Sequence, residues 1–172
     1  MVFAKFRSLH YTVLYVSTGN LDQFRDPSRL PAMVYFFYGT LCDPDVQRLI
    51  LGYRPGPRQI RPARLPGFRR KRARGRSYPV LLRAAGHQVA GLVFRPARPT
   101  DTSRLAAYEG PEYIIRRLPV RIGANGSAAS RARVFLPART DRKAPLVATF
   151  EDWHLQRWQQ HEKTAFLRSL QT

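Results

Sequence analysis

The run Val34-Tyr35-Phe36-Phe37-Tyr38 constrains this chain most. Five consecutive β-prone apolar residues leave no polar face for water, so they read as a strand buried on both sides. Gly39-Thr40 ends the run. Asp43-Pro44 then supplies a helix cap with proline at the first helical position, Val46, Leu49 and Ile50 recur at helical spacing, and Gly52 closes the helix. A fold built from here must cover the strand by sheet or helix on each face.

The rest of the chain limits how that is done. Arg58 to Phe68 alternates loosely and reads as a strand or extended edge, with Pro62 and Pro66 arguing against a central position. Tyr78 to Leu82 and Gln88 to Phe94 read as two strands joined across Gly86. Asp101 to Tyr108 is a short helix stopped by Gly110. Tyr113 to Ile122 and Ala132 to Leu136 are strands, with Asn125-Gly126 as the turn between them. Thr149 to Asp152 opens a last helix in capping-box style, and Trp153, Trp158, Phe166, Leu167 and Leu170 give it an apolar side. Six or so strands with few helices, and no βαβ repeat, predict an α+β fold: a small mixed sheet curled into a barrel with short flanking helices and a C-terminal helix.

Met1 to Ala32 differs in character from the remaining sequence. Its apolar patch, Tyr11 to Val16, is too short for a secretory core and no small-residue cleavage site comes after it. The reading adopted is an extension over 1–32 and a domain over 33–172, with Met33 as the expected start of translation.

Composition excludes several classes. Apolar content of 44% with 12% aromatics is too high for a disordered chain. A single cysteine excludes an internal disulfide framework and a four-cysteine zinc site. No apolar run approaches the ~20 residues of a membrane-spanning helix. The 30 basic residues against 11 acidic ones give +19, and only four of the 30 are lysine. Such a charge favours anionic partners in general but names no chemistry.

The basic residues concentrate between Arg54 and Arg76, ten of them with no acid, densest at Arg69-Arg70-Lys71-Arg72. One reading is a surface for nucleic acid or an acidic partner. The other, which we favour, is a solvated connection between two strands. His154 and His161 lie seven residues apart, too far for one metal ion without help from elsewhere. Cys42 is a candidate nucleophile, but a small buried thiol is the commoner role.

Two short motifs remain. Tyr38-Gly39-Thr40-Leu41 ends the first strand in a turn whose backbone N–H groups can receive a carboxylate or oxyanion. Tyr108-Glu109-Gly110-Pro111-Glu112-Tyr113 joins a helix to a strand, and an acid held there over apolar strands would be partly desolvated and poised as a general base.

In this order, these motifs resemble the gamma-glutamylcyclotransferase-like superfamily, in its AIG2-like and gamma-glutamylamine cyclotransferase branch. The resemblance also covers Tyr78-Pro79, Gly91 to Phe94, Leu105 to Gly110 and Arg116 to Val120. The tail from Trp153 to Leu170 looks like the helix closing many bacterial members. The resemblance implies a small mixed barrel with a cavity, and a cytoplasmic enzyme that releases 5-oxoproline from a small gamma-glutamyl compound. It makes Glu109 the catalytic acid/base, in preference to Glu112, because the family's base directly follows an aromatic residue. It assigns substrate holding to Tyr38, Gly39, Thr40 and Leu41, with Tyr78 and Tyr113 as wall residues. The substrate's own amine is the nucleophile, so the implied reaction needs no protein nucleophile, metal or cofactor. After the Tyr38–Leu41 turn this chain continues Cys42-Asp43-Pro44-Asp45, where eukaryotic members often carry a Gly- or Asn-containing loop, which leaves the leaving group undefined.

Overall fold

The computed structural model describes residues 33–123, 125–126, 128–138 and 147–171. The expected extension over 1–32 lies outside them, as does His10. The first strand, β1, covers Tyr35–Phe37, followed by one 3-10 turn at Thr40–Cys42 and helix α1 at Pro44–Leu51. Then come β2 (Ile60–Ala73), β3 (Pro79–Phe94), α2 (Pro99–Glu109), β4 (Tyr113–Ile122), β5 (Ala128–Pro137) and β6 (Ala148–Asp152). Two short helices end the chain, α3 at Leu155–His161 and α4 at Lys163–Ser169.

Among the described residues the strands run in the order β3-β1-β5-β4-β2-β6, and a further β3–β2 pairing closes the first five into a ring. Only β1 and β5 are parallel; the other pairs are antiparallel. The fold is therefore α+β, a small mixed barrel with flanking short helices. Alternation along β1 sends Phe36 and Tyr38 into one buried cluster, with Leu65, Val93 and Val134. Tyr35 and Phe37 enter a second, with α1, α2, Trp153 and Trp158. That is how an all-apolar strand is covered on both faces.

Helix α1 begins as its sequence dictates. Asp43 Oδ1 accepts from the N–H of Asp45 at 2.9 Å and of Val46 at 3.2 Å, and Gly52 ends the helix in the left-handed conformation. Helix α2 starts earlier than expected, at Pro99. Asp101 is buried and reaches back, its Oδ2 accepting from the N–H of Ala97 and Arg98 and from Tyr53 Oη.

Four expectations need correction. The strand holding Pro62 and Pro66 is not an edge; β2 pairs with β3 on one side and with β4 and β6 on the other. Pro62 still offers its carbonyl, which accepts from Gly123 N at 2.8 Å, and Pro66 abuts a bulge. The Arg-rich stretch is not a loose connection: Arg69 to Ala73 belong to the second half of β2. The two strands around Gly86 are one long β3, in which residues 84–87 bulge opposite the single Gly67. Thr149 to Asp152 form β6 rather than a helix start. Its neighbours complete backbone bonds with β2 and the residue after it, Trp153 N to Arg70 O at 3.3 Å and Arg74 N to Val147 O at 2.8 Å. The final helix starts at Leu155 and breaks at Glu162.

Candidate active site

At the end of β1 the chain turns through Gly39, and Thr40 and Leu41 open the 3-10 turn. The first N–H groups of such a turn have no partner within it. The backbone at Gly39 runs close to Pro79: its φ is −118°, and an added Cβ would lie 3.1 Å from Cγ and Cδ of Pro79, a tight contact that the ring would have to ease by a few tenths of an ångström. Two tethers fix the turn. Arg70 Nη1 donates to Tyr38 O at 2.8 Å, and Tyr38 Oη donates to Phe135 O at 2.8 Å.

The second motif arrives on the last turn of α2. Tyr108 Oη and Thr40 Oγ1 lie 2.6 Å apart, which docks the end of α2 against the turn. Gly110, with φ at 71°, then frees the chain from the helix and leads it to Glu112 and Tyr113.

All seven residues singled out from the sequence for this site, Tyr38, Gly39, Thr40, Leu41, Tyr78, Glu109 and Tyr113, line one cavity of about 190 Å³. Glu112, Tyr108 and Pro79 join them. So do Phe166 and Leu170, from the final helix and the residue after it. Sequence reasoning gave those two only a core role. Their four-residue spacing marks one helix face, but nothing local says that the face borders a cavity.

The two acids of the cavity are held differently. Glu112 Oε2 accepts from Tyr78 Oη at 3.2 Å, and its Oε1 faces Arg76 Nη2 at 3.6 Å. Glu109 is half-buried and has neither hydrogen bond nor ion pair among the described residues. Burial alone pushes its carboxyl up to about 8. Burial also raises the phenols of Tyr38, Tyr108 and Tyr113, with the nearby Glu109 adding to each; all three remain protonated donors at neutral pH. An acid whose protonation changes near neutrality, amid phenols whose protonation does not, can both take and return a proton.

The other candidates lie elsewhere. Cys42 Sγ donates to Phe37 O at 3.3 Å, and burial pushes its thiol up to about 12, which fits the buried-thiol role. His154 stands at the N-cap position of α3 without a side-chain cap bond, and His161 ends the helix. No group of three metal-capable side chains occurs among the described residues. The basic stretch is largely engaged within the molecule. Arg54 pairs with Asp45 at 2.7 Å and Lys71 with Asp152 at 2.8 Å. Arg72 grips Glu162 through two bonds of 2.7 and 2.9 Å. No helix among the described residues is long and apolar enough to cross a membrane.

A family model described as "Gamma-glutamyl cyclotransferase, AIG2-like" matches residues 35–155. AIG2-like protein A of Arabidopsis thaliana is 31% identical over 134 residues, 78% of this chain and 76% of that protein. AIG2-like protein D of the same plant is 29% identical, over 77% of this chain and 83% of that one. A solution structure of an Arabidopsis thaliana protein superposes with a TM-score of 0.57 at 26% identity, covering 82% of this chain and 89% of the other. These relatives are plant proteins, and most of α3 and all of α4 fall beyond the matched segment, so the bacterial likeness of the tail gains no support from them. The matched segment takes in the whole closed barrel, the Tyr38–Leu41 turn and Glu109, and the chain belongs to the gamma-glutamyl cyclotransferase, AIG2-like family.

Proposed function

We propose that the protein is a gamma-glutamyl cyclotransferase that releases 5-oxoproline from a gamma-glutamyl amine or amino acid, with Glu109 as general acid and base. The observation that carries the reading is a carboxyl group with no partner among the described residues, desolvated in a cavity beside the Gly39–Leu41 turn. The substrate's α-amine attacks its own γ-carbonyl carbon, forming the lactam N–C bond. The ammonium sheds two protons in becoming the lactam N–H, and Glu109 passes them in turn to the departing nitrogen as the original C–N bond breaks. The products are 5-oxoproline and the amine in its ammonium form. Turn amides at Gly39 to Leu41 receive the α-carboxylate or the developing oxyanion. Tyr78 and Tyr113 hold the glutamyl chain folded, which supplies proximity. The proposal is of a cytoplasmic enzyme acting on a small molecule, as the family resemblance implies.

The test is 5-oxoproline release from a panel of gamma-glutamyl amines and amino acids, comparing wild type with Glu109→Gln. The expected loss is at least about a hundredfold, the usual worth of a positioned acid/base. A folded wild-type protein that releases 5-oxoproline from none of them, or a variant that matches wild type, overturns the reading.

A further inference from the structure

We propose that the amine released at this site is apolar, and that Phe166 and Leu170 are the residues that select it; the inference rests on the cyclotransferase reading. In a chain of charge +19, the described residues that line the cavity include no lysine, arginine or histidine. Its charged lining residues are Glu109 and Glu112. The glutamyl α-carboxylate has the turn amides. A second carboxylate, as on an amino-acid or peptide leaving group, finds no lining cation among the described residues, and the neighbouring Arg76 is already taken up by Glu112.

A cationic amine fares little better. Glu109 is committed to the proton transfer. Both oxygens of Glu112 are engaged, one by Tyr78 Oη and one by Arg76. What remains for the leaving group is carbon surface, and Phe166 and Leu170 supply the part of it that comes from the end of the chain.

That wall is fixed. Phe166 packs edge-on against the buried Trp158, with ring centroids 5.3 Å apart. At the head of α4, Lys163 Nζ bonds Asp43 Oδ2 at 2.8 Å and Asp45 Oδ2 at 2.7 Å. Glu162 is gripped by Arg72. A wall held at this many points discriminates by shape and polarity rather than yielding to each ligand. Leu170 is 36% exposed, so it stands at the cavity's rim. Both residues lie beyond residues 35–155, the segment that the family model matches.

The experiment compares 5-oxoproline release from four compounds: gamma-glutamyl methylamide, gamma-glutamyl n-butylamide, gamma-glutamyl norvaline and the gamma-glutamyl amide of 1,4-diaminobutane. Wild type should favour the butylamide over the methylamide at least about tenfold in kcat/KM, and over the norvaline and diamine compounds by more. Phe166→Ala should lower the butyl-to-methyl ratio about tenfold, and Leu170→Ala about threefold. Phe166→Leu should restore most of the ratio. If Phe166→Ala does not fold, Leu170→Ala at the rim carries the test. Equal turnover of butyl and methyl compounds, preference for the carboxylate or the cation, or an unchanged ratio in both alanine variants overturns the inference while leaving the cyclotransferase reading standing. Absence of 5-oxoproline from all four, the methylamide included, overturns that reading and this inference together.

Discussion

Thr40 Oγ1 and Tyr108 Oη lie 2.6 Å apart although 68 positions separate them in the chain. This one bond joins the turn after β1 to the residue preceding Glu109. It sets where the carboxyl stands relative to the turn amides.

Tyr108→Phe keeps the ring and removes the bond. It should lower kcat/KM for 5-oxoproline release about tenfold and stability by about 1 kcal/mol. Thr40→Val should do the same. Because the two act through one contact, the double variant should be little worse than either single one, which a double-mutant cycle measures.

The burial of Glu109 makes stability depend on pH. Its carboxyl ionises at about 8 in the native protein, against 4.5 as its ordinary value. Below pH 4.5 it is protonated in both states and imposes no penalty. Between 4.5 and 8 the native protein keeps a proton that the unfolded chain releases, so stability falls as pH rises through that window; above 8 the penalty is constant. Each unit of separation is worth about 1.4 kcal/mol. Glu109→Gln should therefore melt at least about 4 °C above wild type at about pH 8.5 and converge with it at about pH 4. Melting curves at the two pH values decide it.

Arg70 donates through Nε to Trp153 O at 3.0 Å and through Nη1 to Tyr38 O at 2.8 Å, with its guanidinium 5.0 Å from the Trp153 ring centroid. Arg70→Met leaves both carbonyls without this donor and should cost about 2–3 kcal/mol. Arg70→Lys should recover little, since an ammonium cannot reproduce a forked donor stacked on a ring. Denaturant titration of the three proteins, with turnover measured alongside, tests this.

Gly91 is forced by its surroundings. A Cβ there would lie 2.1 Å from Phe37 O and 2.7 Å from Phe36 Cζ, so β1 and β3 would have to part. Gly91→Ala should cost about 3 kcal/mol or more, or leave the protein insoluble. Gly56→Ala, with nothing within 4 Å of the added carbon, should melt within a degree or two of wild type.

Asp43 is fully buried and bonded by Lys163 and by Gln159 Nε2 at 2.8 Å. Burial pushes its carboxyl up, but bonds from Lys163, Gln159 and the Asp45 and Val46 amides outweigh that and hold it below the usual range. Lys163→Met removes the cation from a buried carboxylate and should cost about 3–5 kcal/mol at about pH 7. A depressed carboxyl stabilises the fold above its ordinary range and loses that contribution as pH falls, so the gap between variant and wild type should narrow toward about pH 3.

What could be read from the sequence was what short-range physics decides. The β1 run, the Asp43-Pro44 cap and the Gly52 stop each act within a turn of chain. The positions facing the cavity could be named because the turn and the Glu109 segment resemble a known pattern. The second half of β2 could not be read. Its Arg72 and Lys71 find their acids at Glu162 and Asp152, some eighty to ninety positions away, and until those arrive the stretch looks like solvated charge. The Thr149–Asp152 pattern does satisfy a helix cap locally, but pairing with β2 won. Phe166 and Leu170 look like any core face, because which face meets a cavity is fixed by everything else in the fold.

The three residues of β1 sit between β3 and β5, Tyr35 facing Phe94 on one side and Arg133 on the other. Both partners come from far later in the chain, so closing the ring requires distant segments to meet. The Gly39–Leu41 turn hangs directly from that strand. The cavity therefore shares the cooperativity of the whole barrel: it is assembled, and lost, with the global transition rather than by local fraying. Amide protons of Phe36 and Phe37 should accordingly exchange with solvent only as fast as the entire molecule opens.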